Sequence, residues 1–341
     1  PLVTSVSTSI AAKNGLLIRN RATFENARKI GVVVFDKTGT LTEGEFGVTD
    51  IFETDLSREE LLSIAYSVES NSEHPLARGI VKEAQKLNLQ QKNVSDYKTI
   101  PGIGLSADMD GREVMVVSPG YIKSQSVEFD NETYDNLASE GKTVVFVLID
   151  GKLVGMIALA DIVRESAKQA VDMLKKMDIE SIMLTGDNEK AALYVGKAVG
   201  ISRVIAQVLP QQKAENIEKI KSEGKAVAMT GDGINDAPSL AKADLGIAIG
   251  AGADVAIETA DVILVKSNPK DVVNIINLSK AVYRKMVQNL VWATVYNAVA
   301  LPLAAGVLYS AGITLNPAMG AGLMSLSTIM VAINARLLKI Q

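Results

Sequence analysis

The chain has 341 residues, 48% of them hydrophobic, with a net charge of −4, no cysteine and a single histidine. That length can bury more than one core, since domains usually run about 100 to 200 residues. The absence of cysteine excludes a disulfide framework and any thiolate metal site within these residues, so a soft-metal ligand here must be methionine. The acidic balance and the lack of a basic, aromatic-laced stretch argue against nucleic acid as a partner.

Residues 1–12 are apolar or small and hydroxylic, then give way to Lys13, Arg19, Arg21, Arg28 and Lys29. This reads as the cytoplasmic end of a membrane helix followed by a linker, ending near residue 23, and not as a signal peptide. Five short β-rich runs follow: Val32–Phe35, Ser181–Leu184, Ala226–Met229, Leu245–Ile249 and Val262–Val265. Apolar runs of this length that alternate with helical patterns predict a parallel sheet covered on both faces. The first run stands far from the others. The block between them reads differently, with helices over Arg58–Val68 and Pro75–Leu87 and strands over Met115–Val117, Val144–Ile149 and Lys152–Ile157. Asp150-Gly151 supplies a tight turn between the last two strands. The predicted fold is therefore α/β: a doubly wound domain over residues 24–44 and 157–277, interrupted by an inserted α+β domain over residues 45–156.

The chain closes on an apolar hairpin over residues 278–341. From Met286 to Ala335 there is no Asp, Glu, Lys, Arg or His, and about 20 apolar residues suffice for one span. Gly312 and Pro317 break the run, which predicts transmembrane helices near Met286–Leu308 and Leu315–Leu338, joined through Tyr309–Asn316. Arg284 and Lys285 precede the hairpin and Arg336 and Lys339 follow it, so the positive-inside rule puts both outer ends, and the soluble domains, in the cytoplasm.

The chemistry concentrates in three loops. Asp36-Lys37-Thr38-Gly39-Thr40-Leu41-Thr42 follows a buried strand directly, which presents the Asp36 carboxylate at the carboxyl end of a parallel sheet, where ligands bind. A carboxylate there can attack a phosphoryl group, provided that Mg²⁺ and cationic or hydroxyl partners neutralise the charge. Thr230-Gly231-Asp232-Gly233-Ile234-Asn235-Asp236-Ala237-Pro238 also follows a strand. Its carboxylates suit an oxygen-seeking Mg²⁺, with Asp232 as the ligand and Asp236 as ligand, water-positioning group or helix cap. Thr185-Gly186-Asp187 offers a hydroxyl and backbone N–H groups to phosphoryl oxygens, and Lys213, near a helix start after Pro210, supplies positive charge.

These three motifs, in this order around an inserted domain, resemble the P-type ATPases of the haloacid dehalogenase superfamily. The resemblance implies an aspartyl-phosphate at Asp36, Mg²⁺ held by Asp36, the Thr38 carbonyl and Asp232, and phosphate contacts from Thr38, Thr185 and Lys213. Gln211-Gln212 stands where the family commonly carries acidic residues before the lysine. Ser72-Glu73-His74-Pro75-Leu76-Ala77 is similar to the His-Pro signature of the heavy-metal branch, in which the histidine helps to orient ATP. Glu69, Gly102 and Gly104 fit the same nucleotide pocket, while Ser118-Pro119 replaces a frequent Gly-Asn pair. The hairpin, with Tyr296-Asn297 and Met324-Ser325, resembles the copper- and silver-exporting CopB-type subgroup. That implies export of Cu⁺ or Ag⁺, with Cu²⁺ as a further candidate, from a prokaryotic plasma membrane. It also implies partner regions outside this chain: further spans, an actuator domain and a Cys-Pro-His membrane motif. The competing readings are a soluble phosphohydrolase of the same superfamily, an ATP-binding regulatory fragment, and a Zn²⁺ or K⁺ transporter. A Zn²⁺ site would want an intramembrane carboxylate, and the hairpin has none.

Overall fold

The computed structural model describes residues 2–232, 234–250, 258–307 and 316–339. Contacts divide the chain into two compact units. One comprises Pro1–Phe35, Gln169–Ser181 and Pro210–Gln341, and the other Asp36–Lys168 and Ile182–Leu209.

In the first unit, neighbouring strands run in the order β1 (Leu16–Ile18), β13 (Val262–Leu264), β12 (Leu245–Ile249), β11 (Ala226–Gly231) and β2 (Ile30–Asp36). The last four are parallel, and β1 adds an antiparallel edge. β2, β11 and β12 are buried nearly throughout, as expected for a parallel strand covered on both faces. The register aligns Phe35 of β2 with Thr230 of β11. Phe35 and Thr230 therefore lie side by side at the carboxyl ends of their strands.

A single helix, Lys270–Ala304, replaces the start expected near Met286. Its two halves differ in kind. Val272, Val273, Ile275, Ile276, Leu278 and Val282 are buried, whereas Leu290, Trp292 and Leu301 are 68, 53 and 67% exposed. Sequence periodicity over the apolar run alone could not locate a start that lies inside a soluble core. The second helix, Pro317–Arg336, begins where Asn316 Oδ1 accepts from the Met319 backbone N–H at 3.0 Å, with proline in the first turn, the usual start chemistry. Ala318–Arg336 is the one described helix long and apolar enough to cross a membrane, with a mean hydropathy of 1.5. Gln288, Asn289, Asn297 and Pro302 dilute the apolar half of its neighbour. Of the expected turn over Tyr309–Asn316, residues 309–315 lie outside the described residues.

The second unit is built on a six-stranded antiparallel sheet in the order β3 (Thr42–Glu53), β8 (Lys152–Val163), β7 (Thr143–Ile149), β6 (Arg112–Val117), β5 (Gly104–Met109) and β4 (Ser95–Ile100). Strand alternation places Val145 and Val147 in one apolar cluster, with Leu61, Leu62 and Ile80 of helices Arg58–Glu69 and Pro75–Lys86. Phe146 and Leu148 fall in the other, with Ile122, Leu137 and Tyr134. Helix Arg58–Glu69 starts in a capping box, Ser57 with Glu60. The same unit holds Ile182–Leu184 of β9 (Glu180–Leu184), paired in parallel with β10 (Arg203–Ile205). Sequence reading missed β1, β3, β4, β5 and β10; the three-residue strands carry too short a pattern, and β3 reads TEGEFGVTDIFE, mostly polar.

Candidate active site

Asp36, the last residue of β2, is only 6% exposed. The loop that follows is pinned by groups the sequence did not single out. Arg164 donates from Nε to the Thr42 carbonyl at 2.9 Å and from Nη2 to the Gly39 carbonyl at 3.3 Å. The Thr42 hydroxyl lies 2.6 Å from Asp161 Oδ2, whose other oxygen accepts from the Gly44 N–H at 3.0 Å. Burial pushes the Asp161 carboxyl above its ordinary range, against the pull of the Thr42 hydrogen bond and the Lys37 charge. Lys37 lies 3.9 Å from Asp161 and forms a close ion pair with Asp187. Asp187 thus neutralises a buried lysine. The signal for Asp161 and Arg164 was the Asp-x-x-Arg at the end of an apolar strand, which no periodicity argument marks.

Thr38 is exposed beside Asp36. Thr185 is 3% exposed and its Oγ1 accepts from the Asp187 N–H at 3.2 Å; Gly186 sits between them. In the second unit these residues and the Asp36 loop form one set.

The other set belongs to the first unit. Lys213, on helix Pro210–Ser222, donates to Asp236 Oδ1 at 2.8 Å, with side chains 8 and 2% exposed. The sequence offered these two as separate actors; the structure pairs them. Asp232 and Asp236 can present carboxylate oxygens within 4.8 Å of each other. Gly231 is required by this packing, because a Cβ there would stand 2.6 Å from Asp236 Oδ2. The fully buried Thr230 hydroxyl has no hydrogen-bond partner among the described residues.

The predicted nucleotide residues converge on one cavity of about 370 Å³ in the second unit. Glu69, His74, Gly102 and Gly104 all line it, with Ile103, Val116 and Val145 among its apolar walls. His74 caps helix Pro75–Lys86, its Nδ1 accepting from the Leu76 N–H at 3.2 Å. That bond fixes the tautomer with hydrogen on Nε2, the ring's free donor. Burial pushes the Glu69 carboxyl up to about 7, only partly offset by the Ser72 hydrogen bond. Gly104 has φ of +149°, and a Cβ there would meet the Val116 carbonyl oxygen at 2.0 Å; only glycine permits this approach of β5 to β6.

The four membrane candidates lie on the two C-terminal helices. The Tyr296 hydroxyl lies 3.5 Å from the Gly320 carbonyl of the second helix. Asn297 and Ser325 donate back into their own helices, to the Ala293 and Ala321 carbonyls at 2.9 and 3.0 Å. Met324 is 64% exposed.

These two sets, a carboxylate at the end of a parallel strand with hydroxyl groups in one unit and a lysine with further carboxylates in the other, agree with the comparisons. Residues 30–244 match the family model of haloacid dehalogenase-like hydrolases. A copper-exporting P-type ATPase B of Archaeoglobus fulgidus is 55% identical over 339 residues, which is 99% of this chain and 49% of that protein. The crystal structure of a zinc-transporting PIB-type ATPase in the E2.Pi state aligns with a TM-score of 0.85 and 34% identity, over 99% of this chain and 55% of that one. A structure of the catalytic domain of the CPx-ATPase CopB-B aligns with a TM-score of 0.56 and 31% identity, covering 78% of this chain and 96% of that domain. The chain belongs to the haloacid dehalogenase-like hydrolases and, among them, to the P-type ATPases. It spans about half the length of the curated relatives it matches.

Proposed function

We propose that this chain is the catalytic and C-terminal membrane portion of an ATP-driven exporter of copper or silver ions that works through an aspartyl-phosphate. The observation that carries the proposal is the buried Asp36 carboxylate at the end of β2, in a loop that Arg164 holds through the Gly39 and Thr42 carbonyls. In this reading residues 24–44 and 157–277 are the phosphorylation domain, 45–156 bind the nucleotide, and 278–341 cross the membrane, with the soluble domains cytoplasmic.

ATP enters the Glu69–His74 cavity, where apolar walls take adenine and His74 Nε2–H donates to the nucleotide. Asp36 attacks the γ-phosphorus: an Asp36 O–P bond forms, the bond to the β-γ bridging oxygen breaks, and ADP leaves with that electron pair. Lys213, Thr38, Thr185 and the Gly186 N–H bind the charge on the transferred oxygens. Hard oxygen donors near the orphaned Thr230 hydroxyl fit Mg²⁺. Asp36, the Thr38 carbonyl and Asp232 would hold that ion, which supplies charge neutralisation when bound. The actuator domain and the remaining spans would come from regions outside this chain.

The relatives named for copper favour copper as cargo, and the hairpin's lack of a carboxylate argues against zinc. A titration of phosphoenzyme from γ-labelled ATP against Cu⁺, Ag⁺, Cu²⁺ and Zn²⁺, made on the complete protein, tests this. Stimulation by Cu⁺ or Ag⁺ is expected. Stimulation by Zn²⁺ alone would overturn the cargo, and metal-independent phosphate release would favour the phosphohydrolase.

A further inference from the structure

Where helix Lys270–Ala304 passes from its buried to its exposed half, it borders a cavity of about 370 Å³. Lys280, Arg284 and Lys285 of that helix line it, together with Lys339 from the segment after the second helix. Asn277 and Gln288 are its neutral polar lining residues, and no Asp or Glu is among the lining residues. The spacing 277, 280, 284, 288 puts these groups on one helical face. Lys285 Nζ is held by Asn334 Oδ1 at 2.8 Å, and Asn334 in turn donates to Asn289 Oδ1 at 2.7 Å, so the cationic wall is tied across the two helices. None of the four cations forms an ion pair among the described residues. Four like charges around one concavity repel, and an anion seated there would relieve that repulsion.

The surroundings select the kind of anion. Leu337, 60% exposed, lines the same cavity, and Met286, Val287 and Leu290, immediately along the first helix, are 39, 40 and 68% exposed. Inorganic phosphate would leave this apolar wall bare. An amphiphile satisfies both parts, with its charged head among the cations and its chains along the helices. We propose that this cavity binds the phosphate-bearing headgroup of an anionic membrane lipid at the cytoplasmic end of the helix pair. The site is separate from the nucleotide cavity and from the cargo candidates, and it rests on the reading that the two helices cross a membrane.

The test uses the chain reconstituted in phosphatidylcholine nanodiscs doped with a minor fraction of phosphatidylglycerol, with co-purifying lipid quantified by mass spectrometry. Near a membrane surface each Lys or Arg is worth about 1 kcal/mol. Removing two, in Arg284→Gln with Lys339→Gln, is therefore expected to lower phosphatidylglycerol retention roughly 30-fold. The charge-keeping pair Arg284→Lys with Lys339→Arg reports on folding and should retain the lipid. Lys13→Gln with Lys29→Gln, exposed positions outside the cavity, should leave retention unchanged. An equal loss in that control would mean generic surface charge and overturn the site. Displacement of the lipid by inorganic phosphate at matched concentration would make the ligand a free anion and overturn the lipid. Flotation with liposomes separates the two readings. A chain that floats with no phosphatidylglycerol preference overturns the cavity alone, whereas one that floats with no liposome overturns the membrane reading and this proposal with it.

Discussion

The motif loops around Asp36, Thr185 and Asp232 and the apolar helix pair handle polar groups in opposite ways. Around Asp36, Lys37, Thr185, Lys213 and Asp236 the charged groups are mostly buried, and the pairs Lys37–Asp187 and Lys213–Asp236 each join two separate motifs. Along the helix pair the surface is apolar and exposed, and its few polar groups either bond their own helix or bridge to the neighbour. A buried charge costs several kcal/mol without a partner, so the first region must be complete within itself. The second makes no such demand, since most of its exposed groups are apolar. Substitutions should consequently act on chemistry and stability in the first region and on ligand response in the second.

The largest effect is expected at Asp36. Asp36→Asn should abolish acid-stable, hydroxylamine-sensitive labelling by γ-labelled ATP, because an amide cannot attack phosphorus, while ATP binding persists. Persistent labelling would move the nucleophile elsewhere.

Next comes the buried pair. Lys213→Met leaves the Asp236 carboxylate, 2% exposed, without the lysine that meets it at 2.8 Å. Removing one partner of such a pair costs about 3 to 5 kcal/mol, measurable by denaturant unfolding. Lys213→Met with Asp236→Leu should recover much of it. If the single substitution costs as little as a surface change, self-containment of the first region is wrong.

Glu69 gives a comparable effect that depends on pH. Its carboxyl lies at about 7 in the folded protein against an ordinary 4.5, raised by burial. The native state therefore holds a proton that the unfolded chain releases. The stabilisation is present in full below about pH 4.5 and is lost as pH rises towards 7, a fall of about 3 kcal/mol. Glu69→Gln, permanently neutral, should flatten that part of the stability–pH curve. Parallel curves for the two proteins would show Glu69 ionised in the fold.

A smaller change is expected at His74. His74→Asn keeps an oxygen to accept the Leu76 N–H, since asparagine caps helices well, and removes the Nε2 donor. One hydrogen bond is worth about 1 kcal/mol, so ATP affinity should fall roughly fivefold with thermal stability unchanged. Unchanged affinity would make the histidine a cap alone.

What could be read in advance follows the same division. The strands of the parallel core were legible because buried parallel strands read as continuous apolar runs, and the three motif loops because each is contiguous in sequence. The Glu69–His74 cavity was legible in part: its lining comes from four separated stretches, and only SEHPLA and the glycines mark it. Asp161 and Arg164 escaped because their role is to hold the Asp36 loop through backbone carbonyls and Thr42, which tertiary contact alone reveals. The Lys213–Asp236 pair bridges 23 residues of sequence separation, beyond any local pattern. The buried start of helix Lys270–Ala304 escaped because an apolar run cannot say whether protein or lipid covers it.

The last and smallest expected change in stability lies on the exposed helix. Met324 is 64% exposed, so Met324→Leu disturbs no described core, and the swap conserves volume closely. Its backbone is engaged independently of the side chain, because the Thr328 hydroxyl donates to the Met324 carbonyl at 3.0 Å. Thermal stability should therefore stay within about 0.5 kcal/mol of the original. The substitution removes only the thioether, a soft donor suited to Cu⁺ or Ag⁺. If the complete protein uses that sulfur, half-maximal phosphoenzyme formation from ATP should need several-fold more free metal, with formation from inorganic phosphate largely preserved. A carbon and a sulfur of nearly equal size then differ in metal response alone, which is what separates a ligand from a packing residue. Coincident metal titrations of the two proteins would refute the ligand role and leave Met324 a lipid- or helix-facing side chain.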